Sequence, residues 1–290
     1  MKYFEVEFTI SPFSADAADL LASLAGEAGF ETFEETENGL KGYVQQTLFN
    51  EEALRESIDD FPFEGTHIIY NVSKAEDRDW NEQWEQAGFE PIVVANQLVI
   101  HDGRHLPTFD EGTPMPISIE IDAKLAFGTG THETTRMICA QLISMLSPQD
   151  ANNKRVLDCG TGTGILSICA LKLGAKEAVG YDIDEWSVDN ARHNAVINQV
   201  DNRFTSLHGD ASILHNIEGA FDIVLANINR NILLADMPTF VAKMQKGAFL
   251  VLSGFYTDDC SILQEKAQTL GLTLVTKNQD NEWACMVFKY

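Results

Sequence analysis

Three glycines at alternate positions, Gly160, Gly162 and Gly164, follow the apolar run Val156-Leu157 and the acid Asp158, and a helix-forming run begins directly after them. Glycines there let the backbone approach a ligand and turn tightly at a helix N-terminus. The dinucleotide pattern G-x-G-x-x-G needs a glycine at its sixth position, where this chain has Ile165. Asp182 ends the next apolar run, Ala178-Val179-Gly180-Tyr181. An acid at that strand end accepts hydrogen bonds from both hydroxyls of a ribose. Asp158, beneath the glycines, either meets the ligand's amino group or pins the loop. Asp210 ends a third strand-like run and Asn227 a fourth, Phe221–Ala226. Ligands bind at the carboxyl ends of parallel strands, so the Asn227 amide oxygen is placed to accept a hydrogen bond from an amine.

The elements that must hold these residues fall into two groups. From about residue 134 strands and helices alternate. Strands are expected at 154–158, 177–182, 203–208, 221–226 and 247–253. Helices are expected near 134–146, 164–173, 185–199, 231–244 and 258–269, and two last strands at 271–277 and 283–289. That rhythm implies a mostly parallel sheet with helices on both faces. Upstream, residues 2–10 alternate as a strand. Residues 15–29 read as a helix capped by Ser14 or Asp16, with Leu20, Leu21 and Leu24 as its apolar face. Glu37-Asn38-Gly39 reads as a hairpin turn, residues 50–60 as a helix capped by Asn50, and 66–74 as a strand. The order β-α-β-β-α-β is that of the ferredoxin-like fold. The charged stretch 75–90 places Trp80 and Trp84 on one helical face. The expected organisation is a small α+β domain over 1–75, a linker helix over 76–90 and an α/β domain over 91–290.

Composition bounds the partners. The chain has 290 residues, 44% of them apolar, enough for a sizeable core. It carries 44 acidic against 20 basic side chains, a net charge of −24, and residues 1–80 hold 18 acids and 5 bases. Such a field repels phosphate backbones and attracts a basic protein, so direct nucleic-acid binding is not expected. No run approaches the roughly 20 apolar residues of a membrane helix. The first residues do not read as a signal peptide. Five scattered cysteines show no C-x-x-C pair, so neither a disulfide framework nor a metal site is expected. A cytoplasmic monomer is the expectation.

The glycine pattern with its upstream acid resembles motif I of Rossmann-like, class I methyltransferases, and Asp210 stands where such enzymes meet the adenine. Several segments extend the likeness: Ala126–Thr135 (AFGTGTHETT), the Trp80/Trp84 pair, DCGTGTGILSI, GYDID and the tetrapeptide Ala226–Asn229. Together they closely resemble the ribosomal protein L-eleven methyltransferase family, PrmA. The likeness runs over about residues 79–290. It departs at Ala123-Lys124-Leu125, where the family has Pro-Gly, and at Glu133, where it has Pro.

The resemblance implies a class I methyltransferase domain preceded by a ferredoxin-like domain that grips the substrate. It implies S-adenosylmethionine as cofactor, and methylation of lysine side chains and the N-terminal amine of a basic large-subunit ribosomal protein. Cofactor contacts are expected at Thr135, Asp158, Gly160, Gly162, Gly164, Asp182, Asp210 and Asn227, with Asn227 also catalytic. His132 stands as a possible base or as a structural loop histidine in front of a Thr-capped helix. The alternatives are a methyltransferase acting on RNA or on a protein glutamine, and a non-catalytic binding module. Against the first stands the absence of the Asn-Pro-Pro-aromatic sequence; Asn227 is followed by Ile228-Asn229-Arg230.

Overall fold

In β1 (Tyr3–Ser11) the period-two pattern sends Val6, Phe8 and Ile10 into a core and leaves Glu7, Thr9 and Ser11 in solvent. The computed structural model describes residues 3–36, 38–59, 61–63, 65–74, 88–109, 115–123, 128, 130–146 and 151–290. Residues 76–87 of the expected linker helix, with Trp80 and Trp84, lie outside them, as do Ala126, Phe127 and Thr129 of the AFGTG run; residues 88–90 are described and are not helical. The chain divides into two compact units, Met1–Glu82 and Gln83–Tyr290.

The first unit continues with α1 (Ala15–Glu27), β2 (Phe30–Thr36), β3 (Gly39–Gln45), α2 (Glu51–Asp59) and β4 (His67–Lys74). Its strands form one antiparallel sheet in the order β2-β3-β1-β4. Ser14 caps α1, its hydroxyl accepting from the Ala17 N–H at 3.2 Å, and Asn50 caps α2 through the Ala53 N–H at 3.1 Å. The apolar face of α1 differs from the leucine face expected. Leu21 is fully buried beside Ala17, Ala18 and Ala25, while Leu20 and Leu24 are half-buried. Small alanines let the helix approach the sheet. Gly39 is needed where the β2–β3 turn passes β1, since a Cβ there would lie 1.9 Å from the Phe8 carbonyl oxygen.

The second unit opens with a three-stranded sheet of β5 (Ile92–Val94), β6 (Leu98–His101) and β7 (Ile117–Glu120). Helix α3 (Glu133–Met145) follows. Then β8 (Arg155–Cys159), α4 (Ile165–Lys172), β9 (Glu177–Asp182), α5 (Glu185–Ile197), β10 (Phe204–His208), β11 (Phe221–Asn227), α6 (Arg230–Ala242), β12 (Met244–Tyr256), α7 (Cys260–Thr269), β13 (Thr273–Asp280) and β14 (Trp283–Lys289) complete the chain.

The large sheet runs β10-β9-β8-β11-β12-β14-β13. Strands β8 to β12 are parallel, and β14 lies antiparallel between β12 and β13. Ile138 and Leu142 of α3 with Ile168 and Leu171 of α4 belong to one buried cluster. Leu233, Met237 and Phe240 of α6 with Leu263 of α7 belong to another. This is an α/β architecture with the doubly wound order of a Rossmann-like sheet. Strand order reverses between β8 and β11, so their carboxyl ends open a crevice there.

An asparagine series on α5 ties the small sheet to this frame. Asn198 exchanges two hydrogen bonds with the Glu120 backbone. Asn194 accepts from the Asp122 N–H, and Asn190 donates to the Asp122 carbonyl. Among the described residues no helix is long and apolar enough to cross a membrane. The five cysteines are buried free thiols.

Candidate active site

The turn after β8 is held from both sides. The Gly160 and Thr161 N–H groups both donate to the Tyr181 carbonyl of β9 at 2.9 Å, and the Gly164 N–H donates to the Thr161 carbonyl at 2.8 Å. Gly164 adopts φ +82° as the N-cap of α4, and a Cβ there would press on Ala191 of α5 at 3.1 Å. Gly160 has φ +72°, and its Cβ would meet Ile228 Cγ2 at 2.5 Å. Both positions therefore exclude a side chain on conformation and on space. The Thr163 hydroxyl donates to the Gly128 carbonyl at 2.5 Å, and Asn194 donates to the Thr163 carbonyl at 3.0 Å.

Asp158 is fully buried beneath this turn. Its Oδ2 accepts from the Thr161 hydroxyl at 2.8 Å, the Ser167 hydroxyl at 2.8 Å and the Ser167 N–H at 3.2 Å. It thus satisfies a first-turn donor of α4, which has no side-chain N-cap. Oδ1 is buried without a partner among the described residues. Burial pushes the carboxyl up to about 6, against the pull of the Ser167 and Thr161 hydrogen bonds. Of the two roles read from the sequence, the geometry commits one oxygen to pinning the loop.

Asp182 ends β9. Its Oδ2 accepts from the Gly162 N–H at 2.9 Å and its Oδ1 from the Asp184 N–H at 3.1 Å. Each oxygen keeps a lone pair for a ligand hydroxyl. Asp210 follows β10 and caps the short 3-10 helix Ala211–Asn216, accepting from the Ser212 N–H at 2.8 Å. The hydrogen bonds from Ser212 hold its carboxyl below the usual range.

Asn227 ends β11, paired with Ser253 of β12. Its Nδ2 donates a long hydrogen bond, 3.4 Å, to the hydroxyl of fully buried Thr135. Its Oδ1 is buried without a partner among the described residues. An orphaned acceptor of this kind costs about 1–3 kcal/mol unless a ligand supplies a donor.

A cavity of about 980 Å³ lies along this edge, and Gly160, Gly162, Asp182, Asp210 and Asn227 line it. Thr135, Asp158 and Gly164 support that wall without being among its lining residues. Sequence reasoning missed Ile183, Asp184, Ile228, Ile232 and Asp236, which also line it. Ile183 is 71% exposed directly after Asp182; the signal in the sequence is an apolar residue directly after the strand-end acid. Asp236 sits in the middle of α6, where nothing local marks it. Four carboxylates, at 182, 184, 210 and 236, face the cavity, and the field suits a cation.

The AFGTGTHETT run ends in a cap other than the threonine expected. His132 caps α3 with Nδ1, which accepts from the Thr134 N–H at 3.3 Å and lies 2.9 Å from the Thr134 hydroxyl. Its ring meets Trp283 edge-on at 4.7 Å.

Comparison with known proteins decides what this arrangement is. A family model described as "Ribosomal protein L11 methyltransferase (PrmA)" matches residues 16–290. The chain belongs to that family. A ribosomal protein L11 methyltransferase of Phocaeicola vulgatus is 44% identical over 289 residues, covering 99% of each chain. One of Bacteroides thetaiotaomicron is 45% identical over 291 residues, covering 100% of each. A crystal structure titled ribosomal protein L11 methylase, from Lactobacillus delbrueckii subsp. bulgaricus, matches with a TM-score of 0.58 at 25% identity. It covers 69% of this chain and 98% of that one.

As a PrmA family member the chain is a methyltransferase whose methyl donor is S-adenosylmethionine. The cavity fits that donor: carboxylates face it, an unpaired buried acceptor lines it, and Gly160 and Gly162 line it without side chains.

Proposed function

We propose that the unit Gln83–Tyr290 moves methyl groups from S-adenosylmethionine to lysine side-chain amines and the N-terminal amine of ribosomal protein L11. The observation that carries this reading is the buried, unpartnered Asn227 Oδ1 on the cavity wall. When bound, the cofactor supplies an activated methyl on a positive sulfur. Asp182 would hold the ribose hydroxyls, the Gly160–Gly164 turn the close backbone approach, and Asp210 the adenine. Thr135 holds the Asn227 amide so that its oxygen faces the acceptor. That oxygen accepts an N–H of the incoming amine and so aims the nitrogen lone pair at the methyl.

The amine must be neutral to attack. At pH 7 this costs about 4.6 kcal/mol for a lysine of ordinary pKa and about 1.1 kcal/mol for an α-amine. Desolvation in the cavity and the nearby sulfonium charge both lower the first figure. His132, committed through Nδ1 to capping α3, serves the fold in this reading.

The first unit is proposed to be a ferredoxin-like domain that grips the substrate. Its element order and the sheet order β2-β3-β1-β4 support that reading. Its acidic composition suits a basic ribosomal protein. The division into 1–75, a linker over 76–90 and 91–290 is part of the same proposal. The test is transfer of labelled methyl to purified ribosomal protein L11, with sites located by mass spectrometry. Label on lysines and the N-terminus is expected. Label only on glutamine, or only on added ribosomal RNA, would refute the amine acceptor.

A further inference from the structure

Along the sheet's carboxyl edge Asn227 ends β11, Gly160 follows β8, Asp182 ends β9 and Asp210 follows β10, in the spatial order of those strands. A ligand laid along this edge with its sugar at Asp182 and its sulfur end toward Asn227 puts its base at Asp210. The base end has a second wall. In α6 the residues Asn231, Ile232, Ala235, Asp236 and Thr239 recur at helical spacing and turn one face to the cavity.

Asp236 is half-buried there and makes no hydrogen bond or ion pair with any described residue. A carboxylate only accepts hydrogen bonds, so it stands half-desolvated with nothing to receive. Burial, and the negative charge of Asp210 nearby, both push its pKa up. The two carboxylates are thus close enough to feel each other across the base end. The arrangement is relieved by a group that offers two N–H donors between them. Among nucleoside bases carried by a sulfonium cofactor, adenine offers that group as its 6-amine.

We propose that Asp236, together with Asp210, reads the 6-amino group of the cofactor's adenine and is the specificity-determining residue for that base. This rests on the S-adenosylmethionine assignment. A 6-oxo base in the same place would turn an acceptor toward two acceptors and be rejected.

The experiment is calorimetry of the full chain and its Asp236→Ala and Asp236→Asn variants with S-adenosylhomocysteine and S-inosylhomocysteine, the 6-oxo analogue. Thermal melts check that each variant is folded. The wild type is expected to bind the adenosyl ligand roughly 10- to 100-fold tighter than the inosyl one, the range for a hydrogen bond to a charged acceptor. Asp236→Ala should weaken the adenosyl ligand about tenfold and bind the inosyl ligand no more weakly than the wild type does, since a repelling acceptor is removed. Asp236→Asn should tighten the inosyl ligand, because its amide donates to the 6-oxo group. Equal loss for both ligands in both variants, or unchanged discrimination, overturns the proposal. A wild type that binds neither ligand takes down the cofactor assignment and this inference with it. A wild type that binds both equally takes down this inference alone.

Discussion

On the β8–β9 side of the cavity the backbone turn is bonded within the chain, and the acceptor left over, Asp158 Oδ1, lies beneath the turn and away from the cavity lining. Gly160, Thr161, Gly162 and Gly164 each have their N–H satisfied, Thr161 and Ser167 share Asp158, and Thr163 is tied to Gly128. On the β11–α6 side Asn227 Oδ1 and Asp236 meet the cavity with no partner among the described residues. The first wall is organised by folding and arrives ready. The second leaves acceptors open that only a ligand can fill. The stability of this unit and its chemistry therefore rest on different residues, the first set largely behind the cleft wall and the second on it.

The sharpest way to break that comparison is Asp158→Ala. It strips one acceptor from three buried donors, and a loss of about 2–4 kcal/mol in urea unfolding is expected. Unchanged stability would mean that the first wall is not held as described. Asn227→Ala should do the converse. Methyl transfer should fall about 100-fold, as when a positioned polar group is removed from an active site. The melting temperature should stay within about 2 °C, since the one side-chain hydrogen bond lost among the described residues is the long one to Thr135. A large drop in melting temperature would move Asn227 to the structural wall.

A third expectation uses pH. The Asp158 carboxyl is raised to about 6 in the fold from an ordinary 3.8. Between those values the folded chain holds a proton that the unfolded chain releases. This group's contribution to stability therefore rises as pH falls from 7 to 5, by about 1 kcal/mol. Comparing unfolding of wild type and Asp158→Asn at the two pH values isolates it, and a contribution that falls on acidification would contradict the burial argument.

The smallest effect calibrates the others. Lys41 pairs with Glu5 at 3.3 Å on the first unit's sheet, both 30% exposed. Lys41→Ala should cost under about 1 kcal/mol, read from the same urea curves.

Much of this site was legible because its signals are local. Three alternating glycines after an apolar strand fit only a tight turn into a helix, and an acid at the next strand end is read by its position. The alternation of strands and helices announced the parallel sheet on the same terms. The α1 face differs in detail from the leucine pattern, since leucines stand out in a sequence and the alanines buried with Leu21 do not. The cap of α3 was assigned to threonine where His132 holds it.

What residue order alone determined about this protein is the chemistry within a few positions of each strand end: the turn, the strand-end acids and the amide at 227. The fold decided which of these face the ligand. Thr135 reaches Asn227 across 92 residues of chain, Asn198 reaches Glu120 across 78, and Asp236 comes to the same cavity as Asp210 because α6 packs beside the 3-10 helix that Asp210 caps. No spacing rule encodes such contacts. They exist because burying the apolar faces of α3, α5 and α6 brings polar side chains that are distant in sequence together.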